Sequence, residues 1–373
     1  MHDDIPYLLL TPGPLTTSPG VRQTMLHDYC TWDADYKSIV HDIRTQLVNL
    51  ATSEEGFTTV LMQGSGTFSV EAALGSLVPP DGKVLVLNNG AYGARIAQIC
   101  QRLNIRFQEL CLLETEAVKP EDVDNILWQH KDVTHVAVIH CETTTGLLNP
   151  VAEIGRVVAR HQKYYMVDAM SSFGGIPMSM EEFHADCLIS SSNKCIQGVP
   201  GFGYVIVKRD WLQQSEGWAR SLSLDLYDQW KTMESQSGKW RYTSPTHVVR
   251  AFAQALQELH EEGGVSVRHE RYRSNQRCLA EGMTAIGFRR LLAPEVQSPI
   301  ITSFYYPDDP NFTFEAFYQA LKKRGFVIYP GKISQTATFR IGNIGHVFLD
   351  DIKRLLVCVE EALKELGMNP ARE

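Results

Sequence analysis

TTVLMQGSGTFSVEAALGSLVPPDGKVLVLNNGAYGARIAQICQR, residues 58–102, passes twice from a short apolar run to a longer helical one. Thr58 to Met62 and Lys83 to Leu87 are short and rich in Val and Leu, which predicts strands. Thr67 to Leu77 and Ala91 to Arg102 predict helices. A strand followed by a helix and another strand is the unit of a parallel sheet, because the chain must cross back before it can pair in the same direction.

The alternation continues downstream. Ile105 to Leu110, His135 to His140, Tyr164 to Asp168, Ala185 to Ile189 and Phe202 to Val207 read as strands, with helices over Glu121 to Gln129 and Val151 to His161. The seven strand-like runs predict an α/β fold with a mostly parallel seven-stranded sheet covered on both faces. Upstream, Pro12, Pro14 and Pro19 with Gly13 and Gly20 read as an extended arm and a turn.

Near Pro245 the pattern changes. A helix from Pro245 to Glu262, capped by Ser244 with proline at its first position, is followed by a Gly263-Gly264 break and a helical stretch from Ser266 to Gly287. Ile300 to Tyr306, Phe312 to Lys323, Phe326 to Tyr329, Thr338 to Ile341 and Asp350 to Leu366 then give strand, helix, two strands and helix. The expected organisation is an N-terminal arm over 1–20, a large α/β domain over 21–260 and a small C-terminal α+β domain over 261–373.

The charge balance narrows the partners. Among 373 residues, 43 acidic against 35 basic side chains give a net charge of -8, and no Lys/Arg block forms a footprint for a nucleic-acid backbone. No apolar run is long enough to span a bilayer. The start MHDDIPYLLLTPGP, with two acids close behind the methionine, argues against a secretory signal. Eight cysteines without a C-x-x-C pair indicate neither a zinc knuckle nor a redox pair and suit a reducing compartment, so a cytoplasmic protein is expected. Cys195 reads as a small buried hydrophobe rather than a nucleophile.

In an open α/β sheet, ligands collect at the carboxyl ends of the strands. Three polar groups fall there. Ser65, Gly66 and Thr67 open the helix after the first strand, where small residues and unpaired amides suit an anion, although neither the Walker pattern nor G-x-G-x-x-G is present. Asp168 ends an apolar strand in YYMVDAMSSFGG, and Lys194 sits in SSSNKCIQGVPGFGYVIVKR on the connection between two strands. Pyridoxal phosphate enzymes require an amine, an acid for the ring nitrogen, phosphate donors and a flat face, and Lys194, Asp168, the Ser65 to Thr67 turn and Tyr92 meet that list. A non-enzymatic protein that holds a phosphorylated ligand at the same turn is the alternative these residues leave open.

LLLTPGP, MQGSGTFSVEAAL, NNGAYGAR, HCETTTGLLNP, VDAMSSFGG, SSSNKCIQGVPGFG and FRIGNIG together resemble the fold-type I, class V aminotransferases over nearly the whole chain. The resemblance implies pyridoxal 5'-phosphate bound covalently through Lys194, with Asp168 at the ring nitrogen, and no metal. It implies Ser65, Gly66 and Thr67 at the phosphate, Tyr92 over the ring and Thr145 near the pyridoxal oxygen. It also implies a homodimer in which Tyr242 and Thr243 reach the partner's cofactor phosphate, and Arg340 as the receiver of the substrate's acidic group. Without that resemblance, Arg340 reads as an exposed edge-strand arginine paired with an acid.

Thr67 and Tyr92 stand where related members often have histidine and tryptophan. Within the family, the nearest resemblance implies transfer of the amino group of 2-aminoethylphosphonate to pyruvate. Alanine or serine:glyoxylate and serine:pyruvate enzymes share the arrangement and remain alternatives. A desulfurase needs a loop cysteine, and Ala293 to Tyr306 contains none.

Overall fold

The computed structural model describes residues 7–331 and 336–368. The acidic start on which the reading against a leader rests therefore lies mostly outside the described residues.

Seven strands form the main sheet: β2 (Phe57–Gly64), β3 (Lys83–Asn88), β4 (Arg106–Cys111), β5 (His135–Ile139), β8 (Tyr164–Asp168), β9 (Cys187–Ser191) and β10 (Gly201–Lys208). Their order is β2-β10-β9-β8-β5-β3-β4. Only β10 runs against its neighbours, pairing antiparallel with both β2 and β9, so the sheet is mostly parallel as expected. Two short strands, β6 (Cys141–Glu142) and β7 (Leu147–Leu148), make a hairpin after β5.

Both faces of the sheet are covered, and the strands show why. On β3, Val84 and Val86 join one core with α3 (Gly66–Leu77) and α4 (Ala91–Arg102). Leu85 and Leu87 point the other way, into a core shared with α5 (Pro120–Gln129), α6 (Val151–Arg160) and α10 (Thr246–Glu261). Side chains alternate across a strand, so an unbroken apolar run is what a sheet buried on both sides demands.

One helix of the second layer, α2 (Ala34–Ala51), has no counterpart in the sequence reading. Its buried residues Tyr36, Val40, Ile43, Leu47 and Ala51 recur at helical spacing, but charged and polar residues dilute the stripe. Helix α1 (Pro19–Gln23), α7 (Met180–Phe183), α8 (Arg209–Gln214) and α9 (Leu226–Ser235) are shorter additions of the same kind.

The expected Ser244 cap is corrected by the structure. Helix α10 begins at Thr246 with Pro245 at the cap position and no side-chain cap. The Ser244 hydroxyl lies 2.6 Å from the Tyr36 hydroxyl on α2 instead. Both groups are buried, and each satisfies the other, which ties α2 to the start of α10. The glycine break is real: Gly263 and Gly264 have φ of +107° and +83°, and α11 (Gly264–Ile286) follows at once.

The C-terminal part packs α11, α12 (Phe314–Lys323) and α13 (Leu349–Glu365) with a three-stranded sheet of β11 (Ile301–Tyr305), β14 (Thr338–Gly342) and β13 (Tyr329–Pro330). The expected strand from Phe326 to Tyr329 is two pieces. Its first half, β12 (Phe326–Val327), pairs in parallel with β1 (Leu8–Leu9), while β13 pairs with β14. The arm therefore packs against the C-terminal core, where Leu10 is fully buried beside Phe326 and Phe339.

Candidate active site

The carboxyl ends of β2, β5, β8 and β9 lie at the same edge of the main sheet, where ligands of such sheets bind. Asp168 is the last residue of β8 and is buried. Its Oδ1 accepts the Met170 amide at 2.9 Å, and no other hydrogen bond reaches the carboxylate among the described residues. Burial pushes its carboxyl up to about 7; the nearby Glu142 adds to this, while Lys194 and Arg95 oppose it.

Lys194 follows β9 on the connection to β10, as the sequence predicts. The half-buried amine donates to the Pro12 carbonyl at 2.7 Å. Burial brings it down to about 8, with the Asp168 charge opposing and the Arg340 charge assisting that fall. The proline arm thus has a direct part in the site that its composition alone does not announce. Gly13 has a φ of +118°, and a Cβ there would lie 2.9 Å from Lys194 Cδ and 3.0 Å from its Nζ. Glycine is required on both counts.

Ser65 occupies the N-cap position of α3 without a side-chain cap bond, and Gly66 and Thr67 form the first turn. Amides at a helix start have no carbonyl inside the helix to pair with. Gly66 is crowded from behind: a Cβ would fall 2.3 Å from the Met170 sulfur. The Thr67 hydroxyl accepts from Arg95 at 3.2 Å. Arg95 also lies over the Tyr92 ring at 4.8 Å, so the phosphate-type turn and the aromatic residue are linked by one guanidinium.

Glu142 is the acid sequence reasoning missed. It is fully buried at the start of ETTTG, and Gly90 leaves the space that its side chain fills. Its carboxylate accepts the Tyr92 amide at 3.1 Å and both the Thr144 amide and hydroxyl, at 3.2 and 2.7 Å. Burial raises its carboxyl above the ordinary range. A lone acid in a run of hydroxyl residues was the available signal.

Arg340 is 5 % exposed on the central strand of its sheet, so the exposed edge-strand reading does not hold. Its Nη1 donates to the Thr143 carbonyl at 2.7 Å and its Nε to Pro330 at 3.0 Å. Among the described residues it has no carboxylate partner. Thr145 is buried, but its hydroxyl closes its own turn, donating to the Glu142 carbonyl at 3.4 Å and accepting from Leu147.

Among the described residues, Tyr242 and Thr243 make no side-chain hydrogen bond to this cluster. Both are exposed, and Tyr242 lines a cleft of about 300 Å³ with Gln63, Gly64 and Phe68. Cys195 is buried, its thiol pushed up to about 12 and its sulfur donating to the Ser171 carbonyl, so it is no nucleophile.

The donor set fits pyridoxal phosphate. A buried carboxylate with one oxygen left open suits a protonated ring nitrogen, a lowered amine suits covalent attachment, and a helix start suits a phosphate. Among the described residues no group of His, Cys, Asp and Glu is arranged to hold a metal ion, and no helix is long and apolar enough to cross a membrane.

A family model described as aminotransferase class-V matches residues 25–347. The chain is 59 % identical over 362 residues, 97 % of its length and 98 % of the relative's, to the 2-aminoethylphosphonate–pyruvate transaminase of Syntrophobacter fumaroxidans. It is 58 % identical to the transaminase of the same description from Bacillus cytotoxicus, over 96 % of this chain and 98 % of that one. Among solved structures, pyridoxamine-pyruvate aminotransferase from Mesorhizobium loti matches with a TM-score of 0.90 at 26 % identity, covering 99 % of this chain and 95 % of that one.

Proposed function

The chain belongs to the class-V aminotransferases, and from that premise we propose that it transfers the amino group of 2-aminoethylphosphonate to pyruvate, giving phosphonoacetaldehyde and L-alanine. The single observation that carries the reading is a half-buried, deprotonation-prone lysine near a buried arginine that lacks a carboxylate partner among the described residues. A guanidinium left in that state calls for an anionic ligand, and both substrates bring one.

Pyridoxal 5'-phosphate, when bound, supplies the electron-withdrawing ring that stabilises negative charge on the substrate carbon. Lys194 holds it and its Nζ moves the proton at the reacting carbon. A group whose proton affinity lies near the working pH serves as acceptor and donor alike, and the lowering of Lys194 to about 8 brings it there. The Asp168 carboxylate keeps a proton on the ring nitrogen. Ser65, Gly66 and Thr67 would hold the phosphate, Tyr92 would cover the ring, and Thr145 would serve the pyridoxal oxygen.

Arg340 takes the phosphonate of one substrate and the carboxylate of the other. The phosphonate is one carbon further from the reacting carbon than the carboxylate is, so one cation must serve two reaches. A planar, always charged fork can pair with either oxyanion. Tyr242 and Thr243 complete the partner's phosphate site in a homodimer; their exposure in the single chain supports this. Eight cysteines, all unpaired, support a cytoplasmic setting.

The test compares 2-aminoethylphosphonate, alanine, serine and phosphoserine as donors, with pyruvate and glyoxylate as acceptors. The phosphonate with pyruvate is expected to give the highest kcat/KM. A preference for serine or alanine with glyoxylate would overturn the substrate assignment. Borohydride reduction followed by peptide mapping should place the cofactor on Lys194 and no other lysine.

A further inference from the structure

Two backbone segments that carry the chemistry meet at one end of α11. Glu262 lies between α10 and α11, and its carboxylate receives two guanidiniums. Arg268 reaches Oε2 through Nε at 2.8 Å and Nη2 at 2.7 Å. Arg271 reaches Oε1 through Nε at 2.7 Å and Oε2 through Nη2 at 3.1 Å. Each arginine has one nitrogen left, and the two point to different places.

Nη1 of Arg268 donates to the carbonyls of Cys195 and Ile196, at 3.1 and 3.3 Å, immediately after Lys194. Nη1 of Arg271 donates to Gly345 and Val347, both at 2.8 Å, on the segment that leaves the strand bearing Arg340. Gln197 and Tyr272 bridge the same segments. The Gln197 amide donates to the Tyr272 hydroxyl at 2.7 Å and to the Gly345 carbonyl at 2.9 Å. Gln197 itself has a φ of +71°, a conformation a non-glycine residue holds only where its surroundings fix it.

We infer that Glu262, Arg268 and Arg271 are positioning residues that set the separation between the Lys194 amine and the Arg340 guanidinium, and so the reach from a substrate's reacting carbon to its acidic group. The inference rests on the roles given above to Lys194 and Arg340. Arg268 acts on the lysine side and Arg271 on the acid-binding side. Glu262 joins them because a carboxylate bonded in two-point fashion fixes the orientation of each fork.

The roles separate by kinetics. Lysine cannot present two directed N–H pairs at once, so Arg268→Lys releases the turn after Lys194. A misplacement of the order of 1 Å at a reacting group costs about 100-fold, so kcat should fall roughly 10- to 100-fold, with KM for both substrates within about 2-fold of wild type. Arg271→Lys should raise both KM values about 10-fold and leave kcat within about 3-fold, because it displaces only the anion receiver. Glu262→Gln should show both effects in weaker form.

Amide hydrogen exchange on the protein as purified supplies the second readout. Arg268→Lys should speed exchange most at residues 195–197, and Arg271→Lys most at residues 345–347, with a smaller change in the other segment transmitted through the Gln197–Gly345 bond. Equal loss of kcat and KM in both variants, or wild-type exchange at both segments, overturns the inference. If the buried Arg268→Lys fails to fold, the Arg271→Lys kinetics and the Glu262→Gln exchange pattern decide. A wild-type protein that moved no amino group from the phosphonate would sink the reaction proposed above while leaving the exchange test intact. An active wild type without segment-specific exchange sinks only the positioning role.

Discussion

Lys194 and Asp168 face opposite charge costs. The lysine is lowered to about 8 in the fold, so between that pH and its ordinary value the unfolded chain holds a proton that the folded chain has lost. Its burial therefore costs most at and below about pH 8, and the cost fades as pH rises above it. The cofactor-free protein should capture pyridoxal phosphate faster as pH rises, with a midpoint near 8, followed by the growth of its visible absorption; a midpoint above 10 would contradict this. Asp168 is raised to about 7, so the fold holds a proton that the unfolded chain releases from about pH 4 upward, and stability falls as pH rises through that window. Asp168→Asn should accordingly leave the cofactor-free protein at least as stable as wild type at pH 8 by thermal denaturation, while transfer is lost. Removing Arg340 takes away a charged, hydrogen-bonded partner, a change that costs about 2–5 kcal/mol, or roughly 30-fold to several thousand-fold in kcat/KM for both acidic substrates. Arg340→Ala steady-state kinetics with each substrate check this. Lys194 and Asp168 stand out in the sequence because each sets a charge in an apolar frame, whereas Arg340 is picked out through the family resemblance alone. Glu142 was not legible, since its partners are amides and hydroxyls that come together only when α4 meets the turn after β5.

Element by element, the strand and helix pattern of the main sheet follows from apolar run length, and the structure agrees with it closely. What periodicity does not carry is side-chain partnership across elements. Ser244 beside a proline has the signature of a helix cap, yet its hydroxyl serves Tyr36 of α2. Ser244→Ala should leave a buried tyrosine hydroxyl without its partner and cost about 1–3 kcal/mol, measured by denaturant unfolding, with α10 intact by circular dichroism. A loss under about 0.5 kcal/mol, the range of an ordinary surface change, would mean that the Tyr36 hydroxyl finds another partner. The arm is a second case. Prolines and glycines signal an irregular segment, but its pairing with β12 and the Gly342 amide's bond to the Leu10 carbonyl anchor the arm that brings the Pro12 carbonyl to Lys194. Gly13→Ala forces a side chain into a positive φ and against the lysine, so transfer should drop far more than stability does.

At the scale of the whole molecule, the homodimer with shared sites proposed above can be tested decisively by mixing subunits. Combining a Lys194→Ala subunit with a Thr243→Ala subunit places both lesions in one composite site and neither in the other. Activity above both parents is expected once subunits exchange. Mixed dimers that form and recover nothing would remove the partner's Tyr242 and Thr243 from the site. The proposal of shared sites has no basis in spacing, because a contribution from a second chain has no period in the first; the family resemblance alone suggests it.

The parallel pairing of β1 with β12 also orders events in time. Leu8 leaves the ribosome early, but Phe326, its partner, follows about 320 residues later, which at roughly 5–20 residues per second is tens of seconds of translation. Within that interval all seven strands of the main sheet, complete at Lys208, are made and can pair before Phe326 exists, while the carbonyl that holds the lysine amine has no strand to dock on. The nascent chain therefore builds its scaffold first and closes its reactive pocket last, and a chain arrested before residue 326 should bind pyridoxal phosphate far more weakly than the released protein.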